Sequence, residues 1–540
     1  MLSTAHILFA LFGGAFAAPP VFPAVTDLHI RNVFAAPDGF NRSFVTAEGV
    51  LPGPTITGNK GDTFRINLIN ELNNDTMLKS VSIHWHGIFQ EHSNWADGPA
   101  FINQCPIAAN NSFLYEFTVP DQAGTFWYHS HLATQYCDQL NGALVIKDPK
   151  DPLGHLYDID DGSTVLHVAP LYHQVAPRIV AGSAGVDAGL INGLGRNWAN
   201  PTDSPLSVIN VEKGLRYRFR FIHSGCDQPF NLSIDFHNFL VIEADGIEHE
   251  PVVADSIQIF VSQRYSFVLT ANQSVDNYWI KSNDAGNSGV HGFDNGVNSA
   301  ILRYKGAPEA EPTKNQTDIY QNMLLETSLH PLTNPKAPGA PTIDGADLNF
   351  NLNLLWTIGD MDTTNTLGNF FFINGVRFIP PTVPVLLQII SGARSASELL
   401  PTGSVYTLPL NKTIQITFNT TQVAAHGGPH PFHLHGHAFS VIRSAGSDVY
   451  NFENPIQRDA VSTGGADDNV TIRFFTDNAG PWFLHCHIDW HLEAGFAIVF
   501  AEGPAETPAR NPTPEDWDQL CPIYDALTPE QIGAVGRPST

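Results

Sequence analysis

A cysteine between two histidines, near the C-terminal end of the chain, is the stretch whose residue types could do the most chemistry. His485, Cys486 and His487 lie in a run of apolar residues that is typical of a strand. Because successive side chains of a strand point to opposite faces, Cys486 would face one way and both histidines the other. A thiolate with a nearby imidazole, such as that of His491, suits copper, and the flanking pair suits a separate metal behind it. Cys486 would then join two metal sites through a few covalent bonds, a short path for electrons.

Three further pairs of histidines, each separated by a single residue, occur in strand-like surroundings. The pairs are His84 and His86, His129 and His131, and His433 and His435. Because side chains alternate between the two faces of a strand, both imidazoles of a pair lie on one face, where they can converge on metal. Together with His485 and His487 they give eight imidazoles for one polynuclear site. Two or three ligands per ion would accommodate three coppers, with vacant positions for oxygen.

His430 is separated from His433 and His435 by an odd number of positions, just as Cys486 is separated from His485 and His487. In a strand, His430 would therefore face the side opposite to His433 and His435. If the local backbone is extended, His430 is predicted to join Cys486 and His491 at a separate copper. One His-x-His pair alone is more often structural, but four such pairs make that interpretation weak. Zinc is disfavoured because a structural zinc site is usually a closed set of four ligands, which would leave most of the histidines unused.

The elements that must position these histidines are predicted to be short strands. Apolar or alternating runs, punctuated by Gly, Pro, Asn and Asp, fill the chain from about residue 25 onward, and long helical periodicity is scarce. This pattern predicts β-sandwiches. Similar alternating runs at residues 63–68, 215–222 and 411–418 suggest three related β-domains, with linkers near residues 150 and 320.

Length and charge limit the possible partners. A chain of 540 residues is too long for one core, and its formal net charge is −26, with 27 Lys and Arg against 53 Asp and Glu. A surface of this sign repels phosphate backbones and anionic lipid. We therefore expect no nucleic acid and no membrane partner.

The N-terminus predicts secretion. Residues 1–21 contain a short apolar run, then small residues, and then Pro19 and Pro20. This order is typical of a signal peptide, and the apolar run is too short to span a membrane. Nine Asn-x-Ser/Thr acceptors agree with a secreted glycoprotein. They are Asn41, Asn74, Asn110, Asn231, Asn272, Asn315, Asn411, Asn419 and Asn469.

The five cysteines are an odd number, which needs a reason in an oxidising compartment. If Cys486 is a metal ligand, the other four can form two disulfides. The sequence alone leaves three possible pairings among Cys105, Cys137, Cys226 and Cys521.

The histidine motifs resemble the copper signatures of multicopper oxidases. The four segments are His84-Trp-His86-Gly, His129-Ser-His131, His430-Pro-Phe-His-Leu-His435 and His485-Cys-His-Ile-Asp-Trp-His491. The surrounding phrases resemble those of fungal laccases, and the likeness covers nearly the whole chain after the leader. These phrases are Asn94-Trp-Ala-Asp-Gly-Pro-Ala100, Asp121-Gln-Ala-Gly-Thr-Phe-Trp127 and Pro384-Val-Leu-Leu-Gln-Ile-Ile-Ser391.

The resemblance implies an all-β chain of three consecutive cupredoxin-like Greek-key β-sandwich domains and four copper ions. The domains would cover residues 22–151, 152–322 and 323–540, with a trinuclear cluster between the first and third. It implies that the type 1 copper, which takes electrons from substrate, is held by His430, Cys486 and His491, and the type 2 copper by His84 and His433. The type 3 pair would be held by His86, His129, His131, His435, His485 and His487. His437 receives no copper role and is interpreted as structural.

Three residues beside these sites are given roles. Phe496 occupies the position where related blue-copper proteins often carry an axial Met, and weaker axial donation should raise the reduction potential. Asp227 resembles the acidic residue of the family's phenol pocket, where a carboxylate could accept the phenolic proton. Asp97 resembles an acidic residue near the trinuclear cluster that could supply protons. The competing interpretations are a packing role for Phe496 and turn or surface roles for the two aspartates.

The likeness also suggests further pocket residues and the disulfide pairing. Phe293 and His426 are candidate lining residues of the substrate pocket. By the same analogy, Cys105 pairs with Cys521 and Cys137 pairs with Cys226. Both disulfides would link the first domain to later parts of the chain.

The leading interpretation is a secreted laccase, an extracellular monomer that oxidises phenols and aromatic amines such as lignin-type phenolics and reduces O2 to water. A second is another multicopper oxidase acting on ferrous iron, cuprous ion or ascorbate. The chain has only four Met residues, with no Met-rich copper-binding segment, and no apolar span follows residue 496, which disfavours the metal-oxidase versions. A third is an electron-transfer protein without oxygen chemistry, which leaves the eight other histidines unexplained.

Overall fold

A computed structural model gives the structure of the chain. It describes residues 19–179, 185–199, 204–227, 229–284, 292–294, 296–361, 367–423 and 428–534. Alternation of apolar and polar residues produces strands with one buried face, as in Thr63–Asn70 and Ser112–Thr118, where buried and more exposed positions alternate. In the described residues the strands form six sheets, and the predicted all-β class is confirmed.

The N-terminal part of the chain forms two facing sheets. Its strands are β1 (Val21–Pro23), β2 (Val25–Ala35), β3 (Arg42–Ala47), β4 (Gly53–Asn59), β5 (Thr63–Asn70), β6 (Ile83–His86), β7 (Ser112–Thr118), β8 (Gly124–Ser130) and β9 (Asn141–Lys147). One sheet has the order β1-β4-β9-β8-β6 and the other β3-β2-β5-β7.

The middle part also forms two sheets. Its strands are β10 (Val165–Leu171), β11 (Ala188–Ile191), β12 (Leu194–Gly195), β13 (Val208–Val211), β14 (Arg216–His223), β15 (Phe230–Ile234), β16 (Phe239–Ala244), β17 (Ile247–Ala254), β18 (Ser256–Ile259), β19 (Arg264–Thr270), β20 (Asn277–Asp284) and β21 (Ser299–Tyr304). The orders are β12-β11-β10-β14-β19-β16-β17 and β13-β21-β20-β15-β18.

The C-terminal part contains two sheets and the α-helices. Its elements are β22 (Leu348–Met361), β23 (Leu367–Ile373), α1 (Val385–Ile390), β24 (Val405–Leu408), β25 (Thr413–Gln422), β26 (Pro431–Leu434), β27 (Phe439–Arg443), β28 (Gln457–Arg458), β29 (Ala460–Ser462), β30 (Thr471–Phe475), β31 (Gly480–Cys486), α2 (Asp489–Glu493), β32 (Ala497–Glu502), α3 (Thr507–Arg510), α4 (Glu515–Asp525) and α5 (Pro529–Ile532). The orders are β23-β22-β25-β30-β27-β28 and β24-β32-β31-β26-β29. Short 3₁₀ helices cover Asn94–Ala96, Gln135–Asp138, Gly154–Leu156, Gly162–Thr164, Ala176–Arg178 and Glu326–Ser328.

The three similar alternating runs occupy equivalent places in three sheets. β5, β14 and β25 each lie between one parallel and one antiparallel neighbour: β2 and β7, β10 and β19, and β22 and β30. Apart from Val21 at the start of β1, which lies in the predicted leader, each sheet takes its strands from one of the three predicted ranges. The exact limits at residues 151 and 322 stay a prediction.

Two disulfides link these parts, in the pairing that the resemblance implied. Cys105 is bonded to Cys521 of α4, and Cys137 to Cys226. Trp517 of α4 is buried in the hydrophobic core of the N-terminal part, so α4 packs on the first domain. Among the described residues, no helix has both the length and the apolar character that a membrane span requires.

Candidate metal centre

Strand register brings the histidine pairs together. In β26 and β31, His433 lies opposite His485, and Phe432 lies opposite Cys486. Because side chains alternate along each strand, His433 and His485 share a face while Cys486 is on the other. β6 and β8 do the same in the first domain, with His84 opposite His129. The two strand pairs meet, and His86 stacks on His433 with ring centroids 3.8 Å apart.

On the far face of β31, Cys486 meets His430 and His491. The Cys486 Sγ lies 3.8 Å from His430 Nδ1 and 3.6 Å from His491 Nδ1, and the two Nδ1 atoms are 3.1 Å apart. All three side chains are buried. Burial raises the pKa of the Cys486 thiol and lowers that of His430 to about 3, so the pocket disfavours both an unpaired thiolate and an imidazolium. A bound cation would remove the penalty on the thiolate.

Phe496 closes this group on one side. Its ring is fully buried, with its centroid 5.1 Å from that of His430 and 4.7 Å from that of Phe371. The Phe496 carbonyl accepts a hydrogen bond of 3.1 Å from the backbone N–H of Cys486. The phenyl ring therefore packs against the group without offering a donor atom.

The eight other histidines converge on a second buried region. Their ligand atoms form overlapping sets within 4.8 Å of one another: His86 with His129 and His487, His131 with His435 and His485, and His84 with His86 and His433. Burial lowers the pKa of seven of these imidazoles: His86, His129, His131, His433, His435, His485 and His487. Neutral imidazoles are the form that binds metal.

In three of these histidines, the nitrogen that points away from the cluster is hydrogen-bonded to a backbone carbonyl. This hydrogen bond determines which ring nitrogen faces the centre of the cluster. His84 Nδ1 donates to the Asp97 carbonyl at 2.7 Å, His433 Nδ1 to the Asp459 carbonyl at 2.8 Å, and His129 Nδ1 to the Ser130 carbonyl at 2.8 Å. Because these partners only accept, the proton is on the outward nitrogen and a lone pair faces the centre.

The inward nitrogens fit metal binding. Six of them are buried and have no hydrogen-bond partner: His84 Nε2, His86 Nδ1, His129 Nε2, His131 Nε2, His433 Nε2 and His487 Nε2. The remaining two, His435 Nε2 and His485 Nε2, approach each other at 3.1 Å. Such converging, unsatisfied acceptors are unfavourable in a protein interior unless cations lie between them, so the donor set fits a cluster of copper ions.

Two buried carboxylates flank the cluster. Asp97 Oδ2 accepts from His435 Nδ1 at 2.8 Å, and burial raises the pKa of Asp97. Gly98 makes this possible: its φ is +100°, and a side chain there would place Cβ 1.8 Å from the Ile83 carbonyl oxygen, so only glycine lets this loop approach β6 so closely. Asp97 therefore contacts two of the histidines, and its role in supplying protons stays a prediction.

Asp459 is a site residue that sequence reasoning missed. Its Oδ1 lies 3.3 Å from His86 Nε2, and its carbonyl accepts from His433. Arg264, from β19 of the middle domain, donates to both carboxylate oxygens at 2.7 and 2.8 Å and is fully buried. No local pattern marks either residue, because 195 positions separate them in the chain.

The remaining predicted residues are dispersed. Asp227 is half-buried and accepts a hydrogen bond from Tyr172 beside α2, the helix that carries His491. Phe293 packs on Trp279 with ring centroids 5.2 Å apart, within the middle domain, and its pocket role stays a prediction. His426 lies outside the described residues. His437 is 3.1 Å from Glu502 and is in none of the ligand sets found in the described chain.

Three cupredoxin-like sandwiches that carry one Cys-His₂ group and eight converging histidines define a protein of the blue multicopper class. Models of the multicopper oxidase family match residues 29–151, 162–307 and 378–506. The chain belongs to the multicopper oxidase family, which implies four copper ions: one type 1, one type 2 and two type 3.

Relatives and solved structures agree with this family. The chain is 59% identical over 508 residues to Laccase-5 of Trametes villosa, covering 93% of this chain and 94% of the relative. It is 57% identical over 526 residues to a laccase of Phlebia radiata, covering 97% and 98%. The crystal structure of Botrytis aclada laccase has a TM-score of 0.79 at 28% identity, covering 96% and 94% of the two chains. That of Fet3p, a multicopper oxidase that functions in iron import, also has a TM-score of 0.79, at 26% identity, covering 96% and 97%.

Proposed function

We propose that this chain is a secreted laccase that oxidises phenols and aromatic amines one electron at a time and reduces O2 to water. Four phenol molecules each give up one electron and one proton, and one O2 takes up four of each to form two waters. The relatives named laccase, at 57% and 59% identity, support this activity. The observation that carries it is the position of Cys486, whose sulfur lies in the Cys-His₂ group while its neighbours, His485 and His487, belong to two different histidine sets.

We assign the ligands by these sets. His430, Cys486 and His491 would hold the type 1 copper, and His84 and His433 the type 2 copper. The type 3 pair would be held by His86, His129 and His487 on one ion and by His131, His435 and His485 on the other. Copper ions bound there would accept single electrons from the substrate and deliver four of them to O2. The protein supplies the short covalent link through Cys486 and buries the histidines from water.

Two carboxylates would handle protons. Asp227 would hold the phenol hydroxyl and accept its proton as the electron leaves, which makes oxidation easier. Asp97, which contacts His84 and His435, would supply protons to oxygen during its reduction. Both are proposed from their positions at opposite ends of the same electron path.

The first test is oxygen uptake by the purified, copper-replete protein on addition of 2,6-dimethoxyphenol. We expect uptake without release of hydrogen peroxide, because four electrons reach each O2. Cys486→Ser should lose both the blue colour and this uptake, since the hydroxyl replaces the thiolate that a blue-copper site requires. The matched control is His437→Gln, which removes a buried histidine close in sequence to His433 and His435 but outside the ligand sets of the described residues.

Two outcomes would contradict the proposal. No uptake with phenol but rapid uptake with ferrous iron would favour a metal oxidase instead. A blue, copper-replete protein with no oxygen uptake from any donor would favour the electron-transfer interpretation.

We also propose that the protein is an extracellular, glycosylated monomer. Five of the nine acceptor asparagines are exposed: Asn41, Asn110, Asn272, Asn315 and Asn411. Val21 of β1 pairs with Thr55 in the first sheet, so cleavage after residue 21 would remove one residue of β1 and leave Phe22 and Pro23 paired with β4. N-terminal sequencing of protein from culture medium, with deglycosylation and light scattering, tests these points, and an intracellular, unglycosylated or dimeric product would contradict them.

A further inference from the structure

Tyr172 lies directly behind the carboxylate that we assign to the phenol pocket. Its side chain is buried, and its hydroxyl donates to Asp227 Oδ2 at 2.9 Å. The same hydroxyl lies 3.3 Å from Trp490 Nε1, and the two rings are edge to face with centroids 5.4 Å apart. Trp490 is itself buried, so the Tyr172 hydroxyl lies between a packed indole and the Asp227 carboxylate.

The direction of this hydrogen-bond chain follows from the chemistry of its end groups. An indole N–H can only donate, so the Tyr172 oxygen accepts from Trp490. An ionised carboxylate can only accept, so the Tyr172 proton points at Asp227. Hydrogen bonds to a charged group are shorter and stronger than neutral ones, and this one restrains the Asp227 side chain.

This chain of hydrogen bonds ends on α2, the helix that carries the proposed type 1 ligand His491. Trp490 and His491 are consecutive residues of α2. The backbone next to Asp227 is held by the same helix, because the Asp489 N–H donates to the Cys226 carbonyl at 3.0 Å. Asp227 is thus tied to α2 twice, once through its backbone and once through the side chain of Tyr172.

We propose that Tyr172 is a positioning residue for phenol oxidation, which holds the Asp227 carboxylate at a fixed place relative to α2 so that it can receive the phenolic proton. The inference rests on the proposed function. In the step concerned, the phenol O–H bond breaks, its electron goes to the type 1 site and its proton to Asp227, which then releases it to solvent. Tyr172 keeps its own proton throughout.

This role separates two kinds of electron donor. A phenol must lose a proton with its electron and needs an oriented acceptor. Hexacyanoferrate(II) loses an electron only, so its oxidation needs no proton acceptor. A merely structural role for Tyr172 would change both rates together.

The test compares kcat/KM for 2,6-dimethoxyphenol and for hexacyanoferrate(II) in Tyr172→Phe, which removes only the hydroxyl. We expect a loss of about tenfold with the phenol, the size typical for one hydrogen bond to a charged group, and a change of less than about twofold with hexacyanoferrate(II). Copper content and blue absorbance should be unchanged. Tyr304→Phe is the matched control, because it removes another buried hydroxyl, bonded to His237 at 2.7 Å, and should change neither rate.

A double-mutant cycle decides whether Tyr172 acts through Asp227. We expect Tyr172→Phe to cause no further loss of phenol oxidation once Asp227→Asn is present. If Tyr172→Phe fails to bind four coppers, Trp490→Phe replaces it, since loss of the indole N–H removes one of the two groups that position the Tyr172 hydroxyl and should lower only the phenol rate. Equal loss with both donors, no loss with either, or additive losses in the cycle would overturn the inference. A parent protein that oxidises hexacyanoferrate(II) but no phenol would instead refute the proposed function.

Discussion

Removal of Arg264 should weaken copper binding at the cluster although this residue lies in the middle domain and touches no metal ligand in the proposed assignment. Arg264 is fully buried, donates to the Asp459 carboxylate at 2.7 and 2.8 Å, and donates through Nε to the Thr125 carbonyl at 3.0 Å. Asp459 Oδ1 in turn lies 3.3 Å from His86 Nε2. Arg264→Met therefore frees the carboxylate that orients His86.

The size of the effect follows from these contacts. Breaking a buried ion pair by removing one partner destabilises a protein by about 3–5 kcal/mol, because the other charge stays buried. Loss of a partner that orients a metal ligand typically lowers metal affinity about 10- to 100-fold. We therefore expect Arg264→Met to unfold at lower denaturant concentration and also to lose copper to a chelator at a concentration about 10- to 100-fold lower than the parent does.

Arg458→Met is the matched control. Arg458 is as buried as Arg264 and pairs with Asp245 at 2.9 Å and Glu326 at 2.7 Å, but neither carboxylate is in contact with a cluster histidine in the described structure. It should lose stability, although Asp245 keeps its contacts with Arg264, and it should keep its copper. The assay is copper per chain, measured after dialysis against graded chelator, with urea unfolding alongside. Equal copper retention in Arg264→Met and the parent, or equal copper loss in both variants, would refute the reasoning.

Three further changes give separate tests. Phe496→Met should lower the type 1 reduction potential, because a thioether can donate to copper and a phenyl ring cannot; a potential titration showing no change or a rise would contradict this. Replacing both Cys105 and Cys521 by Ser opens a link across 416 positions and should lower the free energy of unfolding by about 2–4 kcal/mol, and an unchanged urea midpoint would contradict it. Burial raises the pKa of Glu248 from 4.5 to about 7, so the unfolded chain ionises first and stability falls as pH rises across that interval. Glu248→Gln should reduce this pH-dependent loss of stability by roughly 1 kcal/mol after allowance for solvent screening. If the difference in free energy of unfolding between parent and variant is constant from pH 4.5 to 7, the raised pKa of Glu248 is contradicted.

Strand periodicity made the two ends of the site predictable. In the sequence, His430 and Cys486 fall on the strand face opposite to that of the neighbouring histidines, which predicted two separate groups of ligands. The register of β26 with β31 places His433 and His485 on one face and Cys486 on the other, so the separation exists in space. The alternating runs at residues 63–68, 215–222 and 411–418 likewise became equivalent central strands. These features are local, because each depends only on which face of a strand a side chain occupies.

The supporting residues could not be predicted in the same way. Tyr172 and Asp227 are 55 positions apart, and Arg264 and Asp459 are 195 apart. Their partnerships depend on how whole domains meet, which no local pattern records. The fold also gives Phe293 an ordinary packing environment on Trp279 that its sequence context did not indicate.

The middle domain supplies none of the residues assigned to copper, yet it contacts both ends of the electron path. At the cluster end, Arg264 fixes Asp459 and through it His86. At the substrate end, Tyr172 and Asp227 lie against α2. In the proposed assignment Cys486 joins the two copper sites covalently, so the middle domain would not be needed to carry electrons. Its contacts would instead hold the proposed proton acceptor, Asp227, at one end and the proposed copper ligand His86 at the other. Substitutions at these two surfaces should therefore alter phenol preference and copper retention independently.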